Sequence, residues 1–477
     1  MGVPQMLTLA SALRRVEGAE VTLYDLDAER MLTGFSPERF GQQGYDIVAL
    51  SCYSSYDYLK VMALGALLRP YTKGAWFVVG GYHASARPND FTGDGSAFDY
   101  VVVGEGEQAL VDLVQSRAAG DAPSQRILLG SSTEPMSTVP YPFELLERYR
   151  PAFGQTVNRF EMSLSRGCPY GCSFCMERTK RSVTWRPLSV DAAIEQIERA
   201  ERFIDLRGKS LRITDALFGA STAWRRAFLE RLAERPVAAE KIWLLTRADL
   251  LEREDFRLMA RANVAVGFGL ESGDPELLRR TGKVRDNVEV FHEKLFSVAE
   301  WAREHRVPFG ANVIVGLPGE TEASLERTAR YLDGLFFSGA PSYGFFGIDR
   351  YRLYPGSRIA ENLASLHEET GFISHRPRWW HDGDQDFLSE WSDPSAELGF
   401  EASMAKSFEL FPGRLTRVMQ TFAYTGPARS RFLATIRENL AAWTPRARAR
   451  QQHLLGVWKP LVAVQDPTVE VPAALGG

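Results

Sequence analysis

The middle of the chain alternates between buried-strand signals and stretches with helical spacing, and this alternation restricts the fold more than any other feature. Helical stretches such as SVDAAIEQIERAERF and DFRLMARAN separate most of the strands. Six such repeats predict a partial (β/α)6 barrel of the TIM type over residues 158–358. Ligands of such barrels bind at the carboxyl ends of the strands. The candidate strands are RFEMSLSRG, SLRITDAL, KIWLLTRADL, VAVGFGLES, FGANVIVGLPGE and FFGIDRYRLYPGS.

A similar alternation occupies residues 1–135 and predicts a doubly wound, Rossmann-like α/β domain. The glycines of its later strands fall at the carboxyl ends, where parallel sheets bind ligands. The candidate strands are AEVTLYDLD, DIVALSC, WFVVGG and FDYVVV, and the candidate helices include LTLASALRRVEG and YDYLKVMALGALLRPY.

Two regions complete the predicted organisation. Residues 136–157, with proline and serine as in MSTVPYPF, are predicted to be a linker. Residues 359–477 are predicted to be mainly helical and to close the barrel mouth. Within them, Trp379, Trp380 and His381 are interpreted as a packed aromatic corner rather than as substrate contacts.

Composition excludes several classes of protein. With 45% hydrophobic and 24% charged residues, the chain is typical of a globular protein rather than a disordered one. The formal net charge of -4 gives no basic surface for nucleic acid or a membrane. Neither a bilayer-spanning apolar run nor a secretory signal is present, so we expect a cytoplasmic protein without nucleic-acid or membrane partners.

The sequence CPYGCSFC places three of the four cysteines, Cys168, Cys172 and Cys175, within eight positions directly after the first barrel strand. Four cysteines are too few for a disulfide framework, so a metal role is favoured. A structural zinc ion needs four ligands, and the loop holds no histidine and no further cysteine. Three thiolates suit a 4Fe–4S cluster that keeps one iron open to a small molecule, and zinc stays as the alternative.

This loop resembles that of the radical S-adenosylmethionine (SAM) enzymes, and motifs behind it occur in the matching order. TDALFG, LTRADL, GFGLESG, NVIVGLPGE and YRLYPGS resemble the motifs that end the later barrel strands of that family. The resemblance implies that the clustered cysteines hold the cluster and are catalytic, through cleavage of SAM to a 5′-deoxyadenosyl radical. It also implies an external electron donor such as flavodoxin or ferredoxin. The SAM-binding residues that it implies are Phe174, Asp215, Arg247, Glu271, Ser272, Gly316 and Pro355.

In the N-terminal unit, GGYHAS and VVVGEGEQAL resemble the cobalamin-binding domain that precedes many radical SAM barrels. The resemblance implies cobalamin contacts at Gly80, Gly81, His83, Gly104 and Gly106. His83 is interpreted as a polar loop residue rather than a cobalt ligand, because the chain has no Asp-x-His-x-x-Gly motif. Family members usually have a strand before the first helix, and that strand is expected to be absent here.

Together the two halves resemble the class B radical SAM methyltransferases. That resemblance implies cobalamin-dependent methyl transfer to an unactivated carbon of a natural-product intermediate, either a small molecule or a peptide. One alternative is a radical SAM dehydratase, epimerase or cyclase with a vestigial cobalamin domain. Another is a non-catalytic cobalamin-binding sensor, which the intact cysteine trio and the later motifs argue against.

Overall fold

The computed structural model describes residues 4–32, 34–131, 140–152, 158–180, 183–338 and 341–463. In these residues the chain forms an N-terminal parallel sheet, a second parallel sheet of barrel type and a helical C-terminal region. No helix of the described segments has both the length and the apolar character needed to cross a lipid bilayer.

Four parallel strands in chain order form the N-terminal sheet, which confirms the predicted α/β domain. Its strands are β1 (Ile47–Ser51), β2 (Trp76–Gly80), β3 (Tyr100–Val103) and β4 (Ile127–Leu129). Its helices span Pro4–Leu13, Leu26–Leu32, Pro37–Gly41, Tyr58–Leu68, Tyr82–Ala86 and Glu107–Ala119.

One predicted strand of this domain, AEVTLYDLD, is wrong. Residues 19–25 pair with no other strand, and a helix begins at Leu26. The Asp25 carboxylate accepts hydrogen bonds from the backbone amides of Asp27 and Ala28, each 3.1 Å long. These bonds satisfy the free amides of the first helical turn, so the acidic residue starts a helix where the sequence interpretation ended a strand.

The stretch between the two domains is more ordered than a linker. β4 lies in a segment that carries turn residues on both sides, and it pairs with β3. Of the predicted linker, residues 140–152 are described, and Tyr141, Leu146 and Tyr149 are buried in the main hydrophobic core with the barrel. The remaining linker residues, 136–139 and 153–157, lie outside the described part of the chain.

The second sheet confirms the predicted partial barrel, because its six strands are all parallel and stand in the order β12-β11-β10-β9-β8-β5. The short β6 (Ser165–Arg166) and β7 (Arg186–Pro187) pair antiparallel beside it. The six are β5 (Arg159–Met162), β8 (Ser210–Ile213), β9 (Lys241–Thr246), β10 (Val264–Glu271), β11 (Phe309–Val315) and β12 (Gly344–Arg350). The helices between them span Val190–Phe203, Thr222–Glu234, Arg253–Arg261, Pro275–Arg280, Val288–His305 and Glu322–Phe337.

The C-terminal region is mainly helical, as predicted. It also contains a short antiparallel pair, β13 (Ile373–Ser374) with β14 (Ser392–Asp393). Its helices span Arg358–Glu361, Leu363–Thr370, Gln385–Glu390, Phe400–Leu410, Pro412–Thr421, Arg429–Ala441 and Pro445–Ala463.

The prediction that this region closes the barrel mouth is wrong for the helix Arg429–Ala441. Asn439 hydrogen-bonds both the amide and the carbonyl of Ile348, at 3.0 and 3.3 Å, on the free edge of β12. At its other end, Arg431 donates to the carbonyl of Asn158, just before β5. The helix therefore spans the gap that the open sheet leaves, because an edge strand has unpaired backbone groups.

The predicted aromatic corner is confirmed for the two tryptophans. Trp379 and Trp380 are buried in the hydrophobic core of the N-terminal domain. The Trp380 indole donates to the Asp90 carboxylate at 2.8 Å, and the Trp379 indole donates to the carbonyl of Leu353 at 2.6 Å. The corner therefore joins the C-terminal region to both the N-terminal domain and the end of the barrel.

Candidate cofactor site between the barrel mouth and the N-terminal domain

The loop that carries the three cysteines leaves β6 through Gly167, whose φ of +79° favours glycine. Later elements hold this loop in place. The Ser173 amide donates to the Thr281 carbonyl at 2.8 Å, and the Ser173 carbonyl accepts from the Ile359 amide at 3.1 Å. The backbone between Cys172 and Cys175 closes a turn at 3.2 Å. The thiols are thus displayed on a loop that is anchored on both sides.

The three thiols are partly buried, and burial is the main cause that raises the pKa of each, to about 12 for Cys175. Thiols in this state need a metal to become thiolates. Among the described residues, no three cysteine, histidine or acidic side chains are arranged to hold one metal ion. A cluster binds one thiolate per iron, so three spaced thiols on one loop fit a 4Fe–4S cluster.

Arg247 lies directly behind this loop. Its guanidinium forms two hydrogen bonds with Asp249, of 3.0 and 2.7 Å, donates to the Lys283 carbonyl at 2.9 Å, and lies 3.8 Å from the centre of the Tyr170 ring. Its remaining nitrogen, Nη1, is buried and has no hydrogen-bond partner in the described residues. A buried donor of this kind fits a carboxylate ligand such as that of SAM.

Glu271 ends β10 in a conformation that residues other than glycine rarely adopt, with φ at +64°. Its carboxylate meets the Lys283 ammonium at 2.9 Å, and both side chains are buried. A side chain on Gly269 would overlap both groups. Strained backbone conformations are typical of ligand sites. The conformation of Glu271 places its ion pair with Lys283 at the barrel mouth.

Two of the predicted SAM contacts have hydrogen-bond partners within the protein. Asp215 is buried, and its two oxygens accept from the Leu164 amide at 2.8 Å and the Ser165 hydroxyl at 2.5 Å. Ser272 is buried and bonds the Thr328 hydroxyl and the Asp274 amide, both at 3.0 Å. These bonds hold the turns of both motifs in place, and the SAM contacts of Asp215 and Ser272 stay predictions.

The other predicted SAM residues surround the cysteine loop. Phe174 packs against the apolar cluster that contains Leu317 and Ile359. Gly316, with φ at +91°, donates its amide to Glu320 at 2.6 Å. Burial raises the pKa of Glu320 to about 8.

Pro355 is buried in the turn after β12. A side chain on the neighbouring Gly356 would overlap Thr179, which follows the last cluster cysteine, and would also press on Ala86 of the N-terminal domain. The YPGS turn therefore packs against both the cysteine loop and the cobalamin-type domain.

Inside the barrel, the alternation of side chains leaves an open interior above an aromatic floor. The Trp243 ring fills the space that side chains on Gly267 and Gly310 would take. Above it, Asn312 and Asp349 are exposed although their strand neighbours are buried. Because the opposite faces of these strands pack against helices, these two polar side chains face the interior.

The predicted cobalamin glycines lie together at the carboxyl ends of β2 and β3. Gly80, Gly81, Gly104 and Gly106 are all partly exposed there. Beside them, Tyr53 exposes 46% of its surface. Backbone turns and an exposed aromatic face fit the edge and face of a corrin ring, as the cobalamin prediction requires.

His83 is neither a loop residue nor a free ligand, so its interpretation is corrected. It is fully buried, and burial is the main cause that lowers its pKa. One ring nitrogen hydrogen-bonds Ser55 at 2.8 Å and the other lies 3.2 Å from Asp90. Both nitrogens are engaged within the protein, so the imidazole offers none to cobalt.

Sequence reasoning missed the polar residues that join the two domains. The Tyr82 hydroxyl donates to the Glu177 carboxylate. Glu105 forms ion pairs with Arg186 and, at 3.4 Å, with Arg166. A sequence signal was present for Tyr82 and Glu105, which adjoin the glycines. Arg166 and Glu177 lie two residues from a cysteine, whereas Arg186 adjoins neither motif. A pairing between distant loops is not visible in one sequence.

Comparison with known proteins identifies both domains of the chain. Residues 162–332 match the Radical SAM superfamily, and residues 4–114 match the B12 binding domain. The chain is 23% identical to an uncharacterized methyltransferase, PH0819, of Pyrococcus horikoshii, over 72% of this chain and 73% of that protein. It is 26% identical to the hopanoid C-3 methylase of Methylococcus capsulatus, over 64% of this chain and 59% of that protein.

Among solved structures, the fold is similar to the radical SAM methyltransferase TsrM of Kitasatospora setae with cobalamin and a 4Fe–4S cluster bound. The TM-score is 0.62 at 17% identity, over 81% of this chain and 76% of that one. The fold and the cysteine loop define a cluster-dependent barrel enzyme joined to a second cofactor domain. The chain belongs to the radical SAM enzymes that carry an N-terminal B12-binding domain, whose cofactors are a 4Fe–4S cluster, SAM and cobalamin.

Proposed function

We propose that this chain is a cobalamin-dependent methyltransferase that acts on an unactivated carbon of a small-molecule natural-product intermediate. The observation that carries the proposal is the placement of the cysteine loop directly against the glycine loops of the N-terminal domain. Relatives named as methyltransferases support the same reaction class. Bound together, the three cofactors supply a hydrogen-abstracting adenosyl radical and a transferable methyl group.

Within this proposal, each part of the site has a distinct task. Cys168, Cys172 and Cys175 hold the cluster. Arg247 binds the SAM carboxylate through the nitrogen that lacks a protein partner, and the Glu271–Lys283 pair contributes polar contacts beside it.

The substrate occupies the barrel interior in this proposal. Asn312 and Asp349 lie above the Trp243 floor and offer hydrogen-bonding groups to a polar molecule. The surrounding wall holds the substrate in place and prevents side reactions of the radical. An external one-electron donor, such as flavodoxin or ferredoxin, reduces the cluster.

The test is anaerobic reconstitution with iron, sulfide and hydroxocobalamin, followed by iron and cobalt analysis and incubation with SAM and a chemical reductant. We expect a 4Fe–4S spectrum, about one cobalamin per chain, and formation of 5′-deoxyadenosine that Cys172→Ala abolishes. With substrate, equal amounts of 5′-deoxyadenosine, S-adenosylhomocysteine and methylated product are expected. A cluster with persistent activity but no bound cobalt would refute methyl transfer and favour the dehydratase, epimerase or cyclase alternative.

A further inference from the structure

Residues at both ends of the cysteine loop contact the N-terminal domain next to its glycine turns. Arg166 stands two residues before the first cluster cysteine, and Glu177 stands two residues after the last. The partner of Arg166 is Glu105, between Gly104 and Gly106, and the partner of Glu177 is Tyr82, directly after Gly81. Each proposed cobalamin loop therefore touches one end of the cluster loop.

Both contacts are shielded from solvent. Tyr82, Glu177 and Glu105 are buried, and the Tyr53 ring packs edge-on against the Tyr82 ring at 5.3 Å. Glu107 adds an ion pair of 2.5 Å to Arg166. Buried charged hydrogen bonds are worth more than exposed ones and hold their geometry tightly, so a shift of either glycine loop is transmitted to its partner.

The contact through Tyr82 reaches the sulfur of a cluster ligand. The Glu177 carboxylate accepts from Tyr82, and the backbone amide of the same residue donates to the Cys175 sulfur at 3.5 Å. Hydrogen bonds to cysteine sulfur and solvent exposure set the reduction potential of an iron–sulfur cluster. A path of two hydrogen bonds therefore joins the loop at Gly81 to the electronic environment of the cluster.

We propose that Tyr82 and Glu105 are positioning residues that couple the N-terminal glycine loops to the cluster, so that cobalamin binding shifts the reduction potential of the cluster. The inference rests on the proposed function, because it takes cobalamin as the ligand of those loops. Its consequence is that the reduction potential of the cluster differs between chains that hold both cofactors and chains that hold the cluster alone.

The experiment is a redox titration of the reconstituted full chain, followed by electron paramagnetic resonance of the reduced cluster, with and without hydroxocobalamin. We expect cobalamin to shift the midpoint potential of the wild-type cluster, and Tyr82→Phe to remove most of that shift while still binding cobalamin. Glu105→Gln removes the charge of the second contact and should reduce the shift as well.

Three variants separate coupling from general damage. Glu177→Gln keeps an oxygen that accepts from Tyr82 and should retain the shift, whereas Glu177→Ala should lose it. Tyr45→Phe removes a tyrosine hydroxyl contact of 3.0 Å with Tyr24, elsewhere in the same domain, and should behave as wild type.

The outcomes distinguish this inference from the proposed function. Cobalamin binding with an unmoved cluster potential would overturn the inference alone, and so would a full shift in Tyr82→Phe. Absence of cobalamin binding by the wild-type chain would overturn the proposed function and this inference together.

Discussion

Glu271 and Lys283 form a buried ion pair of 2.9 Å at the end of β10, directly above Gly269. The pair stands beside Arg247, whose hydrogen bond to the Lys283 carbonyl ties the two groups together. This arrangement places one carboxylate and two cationic side chains at the barrel mouth, where an amino-acid cofactor presents groups of both signs.

Gly269→Ala tests whether this ion pair forms part of the SAM site. The added methyl group would overlap the Glu271 carboxylate and the Lys283 ammonium, so the pair must move. We expect SAM to bind at least tenfold more weakly, about 1.4 kcal/mol, as measured by equilibrium dialysis on the cluster-loaded chain. Gly383→Ala, at a position where a methyl group meets nothing within 4 Å, is the matched control. SAM affinity within twofold of wild type would place the cofactor elsewhere.

Arg247→Lys tests the guanidinium rather than the charge. Lysine keeps a positive charge but cannot bond Asp249 with two nitrogens and offer a third to a ligand. We expect SAM affinity to fall by about tenfold while iron content is unchanged, as measured by calorimetry and iron analysis. Equal affinity in the lysine variant would show that the unpartnered nitrogen does not contact the cofactor.

Asp215→Asn tests the buried carboxyl group through pH. Burial raises the pKa of Asp215 to about 7, above its ordinary value of 3.8. Below the ordinary value both folded and unfolded chains hold the proton. As pH rises towards 7, the unfolded chain releases it first, so wild-type stability falls over this window and then levels off.

The asparagine variant does not titrate at this position and lacks that dependence. The quantity to compare is the free energy of unfolding of the wild type minus that of Asp215→Asn. We therefore expect this difference to be lower at pH 8 than at pH 5, by a few kcal/mol. Urea unfolding of both proteins at the two pH values measures this difference. A constant difference between the proteins would contradict the raised pKa.

Asn439→Ala tests how much the hydrogen bonds between this side chain and the free edge of β12 stabilise the fold. The substitution removes two hydrogen bonds to Ile348 and leaves its backbone amide without this partner, whereas its carbonyl keeps the hydrogen bond from the Trp443 indole at 3.1 Å. We expect a loss of about 1–3 kcal/mol in the free energy of unfolding, measured in urea. Arg437→Ala, at an exposed position of the same helix, is the control and should change stability by less than about 0.5 kcal/mol. An equal loss in both variants would mean that the helix is stabilised by its general packing rather than by this contact.

The barrel could be predicted from sequence because each strand is a short apolar run and each motif directly follows its strand. Cys168, Arg247 and Glu271 meet at the mouth for that reason, since parallel strands bring their carboxyl ends to one edge. What the sequence did not show was which protein groups the polar atoms of those motifs bond. Asp215 and Ser272 occupy the expected positions, but their partners come from turns that a single sequence does not bring together.

Other errors had similar physical causes. The strand predicted before Leu26 failed because one carboxylate, Asp25, competes for backbone amides and starts a helix. His83 was expected in a loop, yet its burial depends on Trp380, which lies nearly three hundred residues later in the chain. The contact of His83 with Trp380 joins distant segments and carries no local pattern, whereas Asp25 acts on the residues next to it.

The hydrogen bonds of Asn439 to the free edge of β12 have a consequence for synthesis of the protein. Ile348 emerges from the ribosome well before Asn439, so the growing chain displays a complete row of unpaired backbone groups along β12 while its C-terminal helices are still being made. An exposed strand edge is a template for pairing with another chain. Chaperone demand and aggregation should therefore peak late in translation, and chains that end before the helix Arg429–Ala441 should accumulate as insoluble material.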